Sequence, residues 1–230
     1  MKAAAVIVLS LSIVAQTRAG TLVGVVKAQP RPELKERAGG GGGKYESRQF
    51  KFVETIKYDE IKDFIVYLEG AMTNVASLPK QTRDVITQKN AMFEPHVMPV
   101  LIGTEVRWPN KDDIFHNVFS QSDAKNFDLG LYKDPDVGTV SFDKAGRVDV
   151  FCSIHSKMNC VILVLENPYF AATDDRGAYR ITNIPAGTYK VKAWHERLPG
   201  QVKEITIPAE GEVRADFTVG VANMAKHQQP

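Results

Sequence analysis

For most of its length the chain alternates short apolar runs with turn residues. "TLVGVV", "DFIVYLEG", "GTEVRWPN", "GRVDVFC", "VILVLE", "GAYRITNI", "GTYKVKAWH", "VKEITI" and "VRADFTVG" are rich in Val, Ile, Tyr and Phe. Between them stand "DDRG", "IPAG", "DKAG" and "PAEG", the punctuation of strands joined by tight loops. No window keeps an amphipathic helical period for three turns. Many short strands at intervals of about ten residues predict an all-β protein built of sandwiches or barrels.

Two segments break the pattern. "QPRPELKERAGGGGGKYESRQ" holds two prolines, five consecutive glycines and mixed charges. It cannot bury a face, so residues 29–49 are expected to form a flexible loop. At the N-terminus, Met1-Lys2 precedes the apolar run "AAAVIVLSLSIVA", and "QTRAG" places Thr17 and Ala19 before a cut at Gly20. This is the layout of a secretory signal peptide over residues 1–19, cleaved near Ala19–Gly20. A single membrane anchor is the alternative, but the run falls short of the roughly 18–20 apolar residues a span needs. The mature chain is expected to be soluble and exported, periplasmic or secreted, with an association with the envelope left open.

Charge narrows the partners. The 29 basic and 27 acidic residues become 27 against 27 once Lys2 and Arg18 leave with the signal peptide. A neutral chain offers no electrostatic footprint for nucleic acid and no polybasic cluster for anionic lipid. About 210 mature residues suffice for one large or two small domains.

The chemistry concentrates in "FCSIHSKMNC", Phe151 to Cys160. Cys152, His155 and Met158 follow a C-x2-H-x2-M spacing, directly after one predicted strand and directly before another. One loop at a sandwich end therefore carries a thiol, an imidazole and a thioether. With a second imidazole these are the groups of a mononuclear blue-copper site. His116 in "WPNKDDIFHNVFS", after a predicted strand and a polar turn, can supply it. Each residue also has a plainer reading. Cys152 and Cys160 are the two cysteines, and an exported chain with an even count admits a disulfide. Such a bond would take the thiolate from a metal. Cys160 and Met158 could equally pack as core residues, and His116 and His155 could be ordinary histidines.

These motifs resemble the cupredoxin family, in particular its plastocyanin and amicyanin branch. The resemblance rests on "MFEPHVMPVLIGTEVRWPN", "FHNVF", "FDLG" and "VDVFCSIHSKMNCVILV", and spans about Asp84 to Glu166. It implies a Greek-key sandwich over residues 81–166 holding one type-1 copper. His116, Cys152 and His155 would be equatorial ligands and Met158 the axial one, in a short amicyanin-like loop. Asn117 would lie behind the ligands and tie their two loops together. The rest of the chain resembles the carboxypeptidase regulatory-like, transthyretin-like sandwich. Here the motifs are the "TDDRG" turn and "IPAGTY" in "NPYFAATDDRGAYRITNIPAGTYKVKAWHE". That module normally opens with strands like "GTLVGVVK" and "DFIVYLEG". The resemblance thus implies one sandwich split into residues 20–80 and 167–220 around the copper domain, with a tail at 221–230. Exported proteins that combine these modules are loosely described as plastocyanin-like or methylamine-utilisation proteins.

Catalysis fits poorly. Multicopper oxidases flank the blue-copper cysteine with histidines, whereas Cys152 has Phe151 and Ser153, and five histidines cannot build a copper cluster. A Cys152–His155 nucleophile pair lacks an orienting acid motif, and the acids of "TDDRG" read as solvated turn residues. His96, His195 and His227 have no ligand partner at a meaningful spacing. The expectation is a non-enzymatic one-electron carrier whose transient redox protein partner docks near His155. Copper handling, or a scaffold with a vestigial site, are the alternatives.

Overall fold

The structure is a computed structural model, and it describes residues 19–30, 57–72 and 84–220. The expected signal peptide up to residue 18, the glycine-rich loop beyond Pro30, and the tail with His227 lie outside the described residues. Among the described residues the only helical element is a 3-10 turn at Tyr58–Glu60, and all else regular is strand. No helix among them is long and apolar enough to cross a membrane.

The protein is all-β and made of two sandwiches. The first contains β3 (Asp84–Val85), β4 (Thr87–Lys89), β5 (Met92–Glu94), β6 (Val97–Leu101), β7 (Thr104–Pro109), β8 (His116–Ser122), β9 (Lys125–Tyr132), β10 (Val137–Phe142), β11 (Gly146–Phe151) and β12 (Asn159–Leu165). One sheet runs β10-β7-β3 and the facing sheet runs β6-β12-β11-β8-β9, with β4-β5 as a separate hairpin. The pairings β12–β6 and β3–β7 are parallel. The second sandwich takes β1 (Ala19–Ala28) and β2 (Ile65–Leu68) from the start of the chain. To these it adds β13 (Phe170–Ala172), β14 (Ala178–Pro185), β15 (Gly187–Trp194), β16 (Gln201–Ile207), β17 (Glu212–Arg214) and β18 (Phe217–Val219). Its sheets run β14-β1-β17, with β18 also on β1, and β13-β2-β15-β16.

Alternation explains the pairing. On β1, Leu22 and Val26 are buried while Val23 and Val25 are only partly covered. One face therefore looks inward, as in a half-exposed strand. Leu22 and Val26 join Phe64, Val66, Leu68, Ile181, Val191 and Phe217 in one core. "VRADFTVG" reads as a single strand, yet the structure divides it into β17 and β18. At the break, the Asp216 carboxylate accepts the Val25 N–H at 2.9 Å, replacing a backbone acceptor.

β12 behaves differently, with every residue after Asn159 buried. Cys160, Ile162 and Val164 point into the core of the first sandwich, with Val100, Val106, Trp108, Phe142 and Val150. Val161, Leu163 and Leu165 point the other way. There they meet Val97 of β6 and Ile65 of β2, flanked by Tyr67, Phe170 and Trp194. A strand covered on both faces needs a continuous apolar run, and "CVILVL" is one. The two sandwiches thus stack as four layers, with an apolar seam between the inner sheets.

Candidate metal centre

At one end of the first sandwich the β11–β12 loop turns through a tight set of backbone bonds. Cys152 N–H donates to Met158 O at 3.1 Å, and Met158 N–H donates to His155 O at 2.9 Å. These bonds fold the segment from Cys152 to Met158 back on itself and fix Cys152, His155 and Met158 on one short turn. His116 comes from the start of β8, where β8 pairs with β9 (His116↔Tyr132).

The loop ahead of His116 is anchored by side chains. Buried Asn110 donates through Nδ2 to Ile114 O at 2.9 Å and Tyr132 O at 3.2 Å, and its Oδ1 accepts Asp112 N–H at 2.9 Å. Asp112 in turn accepts from the N–H groups of Asn90 at 2.7 Å and Ala91 at 2.9 Å. Those two residues form the β4–β5 turn with φ of 54° and 52°. A two-residue hairpin with both φ positive is the favoured primed turn, but alanine adopts it at a cost. The Asp112 carboxylate holds it there by accepting both amides.

The second oxygen of Asp112 also meets His116 Nε2 at 2.8 Å. A carboxylate only accepts, so this nitrogen carries the ring proton and Nδ1 presents its lone pair. That Nδ1 lies 3.0 Å from His155 Nδ1, which lies 3.6 Å from Cys152 Sγ. His116, Cys152 and His155 therefore converge, with all three donor atoms within 4.8 Å of one another. Burial pushes the Asp112 carboxyl up, but the amides of Ala91 and Asn90 and the His116 ring outweigh it and hold it below its ordinary value.

Met158 is 1% exposed and belongs to the same core cluster as Cys152. Asn117 joins the loops through its main chain, since its N–H points at Cys152 Sγ at 3.5 Å. Its side-chain amide donates instead to Asp128 Oδ1 at 2.7 Å and Gly130 O at 3.2 Å on β9. Both cysteines are free and buried. Burial, helped by the charge of Asp149, pushes the Cys160 thiol well above its ordinary value, which keeps it a neutral thiol. Cys152 Sγ instead faces the His155 imidazole at 3.6 Å and the Asn117 amide N–H at 3.5 Å.

The donor set fits copper. A soft sulfur and two imidazole nitrogens, one held in its ligating tautomer by a carboxylate, are what a type-1 centre uses. The spacing made Cys152, His155 and Met158 visible in the sequence, whereas Asp112 was missed. Its one available signal was position, four residues ahead of His116 in a polar turn.

Residues 162–215 match the family described as Polysaccharide lyase family 4, domain II, a stretch running from β12 through β17. Among curated proteins no match was found. Several solved structures resemble part of the chain. A purple cupredoxin from Nitrosopumilus maritimus is 22% identical, covering 36% of this chain and 99% of that one with a TM-score of 0.33. A Cu(I) form of an amicyanin mutant is 19% identical, covering 43% of this chain and 97% of that one with a TM-score of 0.34. The copper-containing nitrite reductase of Thermus scotoductus SA-01 is 22% identical over 42% of this chain and 25% of that one, with a TM-score of 0.35. At these values the likeness is one of partial fold, and the site rests on its own geometry.

Proposed function

We propose that the protein is an exported, non-enzymatic one-electron carrier with a single type-1 copper. His116, Cys152 and His155 would hold the metal, with Met158 of the same loop as a further sulfur donor. The observation that carries this reading is the convergence of two Nδ1 atoms and Sγ, with Asp112 fixing the His116 proton on the far nitrogen. When bound, copper supplies a couple between Cu(I) and Cu(II) that soft and imidazole ligands serve in both states.

The protein's own part is to keep the donors still. β8 and β11 carry His116 and the residue before Cys152 on one sheet, so neither ligand need move when an electron is exchanged. The buried Cys152, under the Asn117 N–H, is shielded from water and from oxidation. Ile114, Phe115 and Ile154, beside the two histidines in sequence, are 48%, 51% and 51% exposed. Exposed apolar residues around a half-buried His155 suit a transient redox protein that docks through a small interface. The mature chain's balanced charge argues against nucleic acid as a partner.

Adding Cu(II) to the mature protein tests the reading. An intense blue absorption is expected, lost in Cys152→Ser and kept in Cys160→Ser. Reversible one-electron cycling with the metal retained supports the carrier. Ready loss of copper to a chelator would mean copper handling instead, and no uptake would leave only a scaffold.

A further inference from the structure

The second sandwich reaches the ligand loop through one polar chain at the edge of the apolar seam. Glu196, just after β15, places Oε1 3.1 Å from His96 Nε2. His96, just before β6, places Nδ1 3.1 Å from the carbonyl oxygen of Asn159, the residue after Met158. His96 O also accepts the Val161 N–H at 2.8 Å. Both His96 nitrogens face acceptors, and the one facing Nε2 is a carboxylate. That makes the contact with Glu196 a charge-assisted bond, the stronger kind.

Glu196 is itself held from several sides. Its side chain is 10% exposed. Its carbonyl oxygen accepts Arg147 Nη1 at 2.7 Å from β11, and the Arg147 guanidinium lies 5.9 Å from the Trp194 ring centre. The turn that presents it is closed by Arg197 N–H donating to His195 Nδ1 at 3.2 Å. Burial lowers the His195 pKa, which keeps the ring neutral and able to accept. Burial pushes Glu196 up, but His96 and Arg197 outweigh it and hold the carboxyl below its ordinary value.

We infer that Glu196 and His96 are positioning residues through which the second sandwich fixes the Met158 end of the ligand loop. The physical reason is leverage. Asn159 is the hinge between the loop and β12, and its carbonyl faces a ring clamped by a carboxylate from a different sheet system. Without that clamp, the tight turn closed by the Cys152 and Met158 amides would open more often. The link to the metal rests on the copper reading above, while the effect on the loop does not.

Amide exchange on the metal-free protein tests the loop directly. In Glu196→Ala the Cys152 and Met158 amides should exchange about tenfold faster, the size expected when a charge-assisted bond is lost from a locally opening segment. Lys62 lines the same cavity as His96 and Glu196 but bonds to Asp175 at 2.9 Å, so Lys62→Ala should match the unmutated chain. If Glu196→Ala fails to fold, Glu196→Gln decides, with a smaller acceleration because an amide oxygen accepts more weakly. Unchanged amides in the folded variant overturn the inference. In copper-loaded protein the same variants should stay blue and shift the reduction potential and the ratio of the visible bands. Faster amides with an unmoved potential would overturn the link to the metal. A wild type that takes up no copper would sink the proposed function, yet the exchange result would still decide the clamp.

Discussion

Each sandwich ends in a turn organised by an aspartate, and the two turns differ in what else that aspartate touches. In the second sandwich, Asp174 Oδ1 accepts the amides of Arg176 at 2.9 Å and Ala178 at 2.8 Å. All its bonds return to its own turn, which packs so closely on β1 that a Cβ on Gly177 would lie 2.2 Å from Val26 O. In the first sandwich, Asp112 also gathers two amides, but its second oxygen continues to His116 Nε2. One carboxylate completes a fold, and the other passes the rigidity of the fold on to a candidate ligand. The cores repeat the contrast. The second packs aliphatic and aromatic side chains around Tyr179, whose hydroxyl donates to Ala215 O at 2.6 Å. The first gathers Cys152, Met158 and Cys160 beneath His116 and Asn117. A sandwich becomes a site only where donor atoms are buried beside a loop held from outside.

Perturbing the two ends separately tests the contrast. The largest expected effect is Cys152→Ser, which should abolish blue copper binding altogether, because a hydroxyl is neither soft nor ionised at neutral pH; a copper titration followed by absorption checks it. Next, Ile184→Ala in the second core should cost about 2–5 kcal/mol of stability by denaturant unfolding, while the colour of the folded protein stays. A loss of colour there would show that the two ends are not separable. Asp112→Asn should weaken copper binding about 10–100-fold, the usual cost of removing a ligand's hydrogen-bond partner, as read by competition with a chelator. Met158→Leu should keep the blue site and raise the potential, measured by voltammetry, because a thioether is lost while the thiol and both imidazoles remain. The smallest effect belongs to Asp174→Ala, about 1 kcal/mol for a partly exposed turn, with copper affinity unchanged.

Some of this was legible in the residues alone. β-branched runs and turn residues specified an all-β chain, because a half-buried strand repeats every two residues. The C-x2-H-x2-M spacing put three candidate donors on one loop, since residues so close in sequence cannot be far apart in space. "VILVLE" read as one more short strand, and its burial on both faces came from the structure. β3 to β6, β8 to β10 and β13 are not among those runs, and several are short strands such as Thr87–Lys89 and Met92–Glu94 whose polar residues blur the alternation.

What joined distant residues was decided by tertiary structure. His116 and His155 stand 39 residues apart in sequence, and only the pairing of β8 with β11 in one sheet lets their nitrogens meet. Asp112 could be recognised only once the β4–β5 turn lay beneath it. His96 and Glu196, 100 residues apart, have no shared pattern to read. Their meeting depends on two sheets stacking through Val97, Val161, Leu163 and Ile65. Local periodicity can specify an element because it depends on near neighbours alone, whereas such contacts depend on how whole sheets pack.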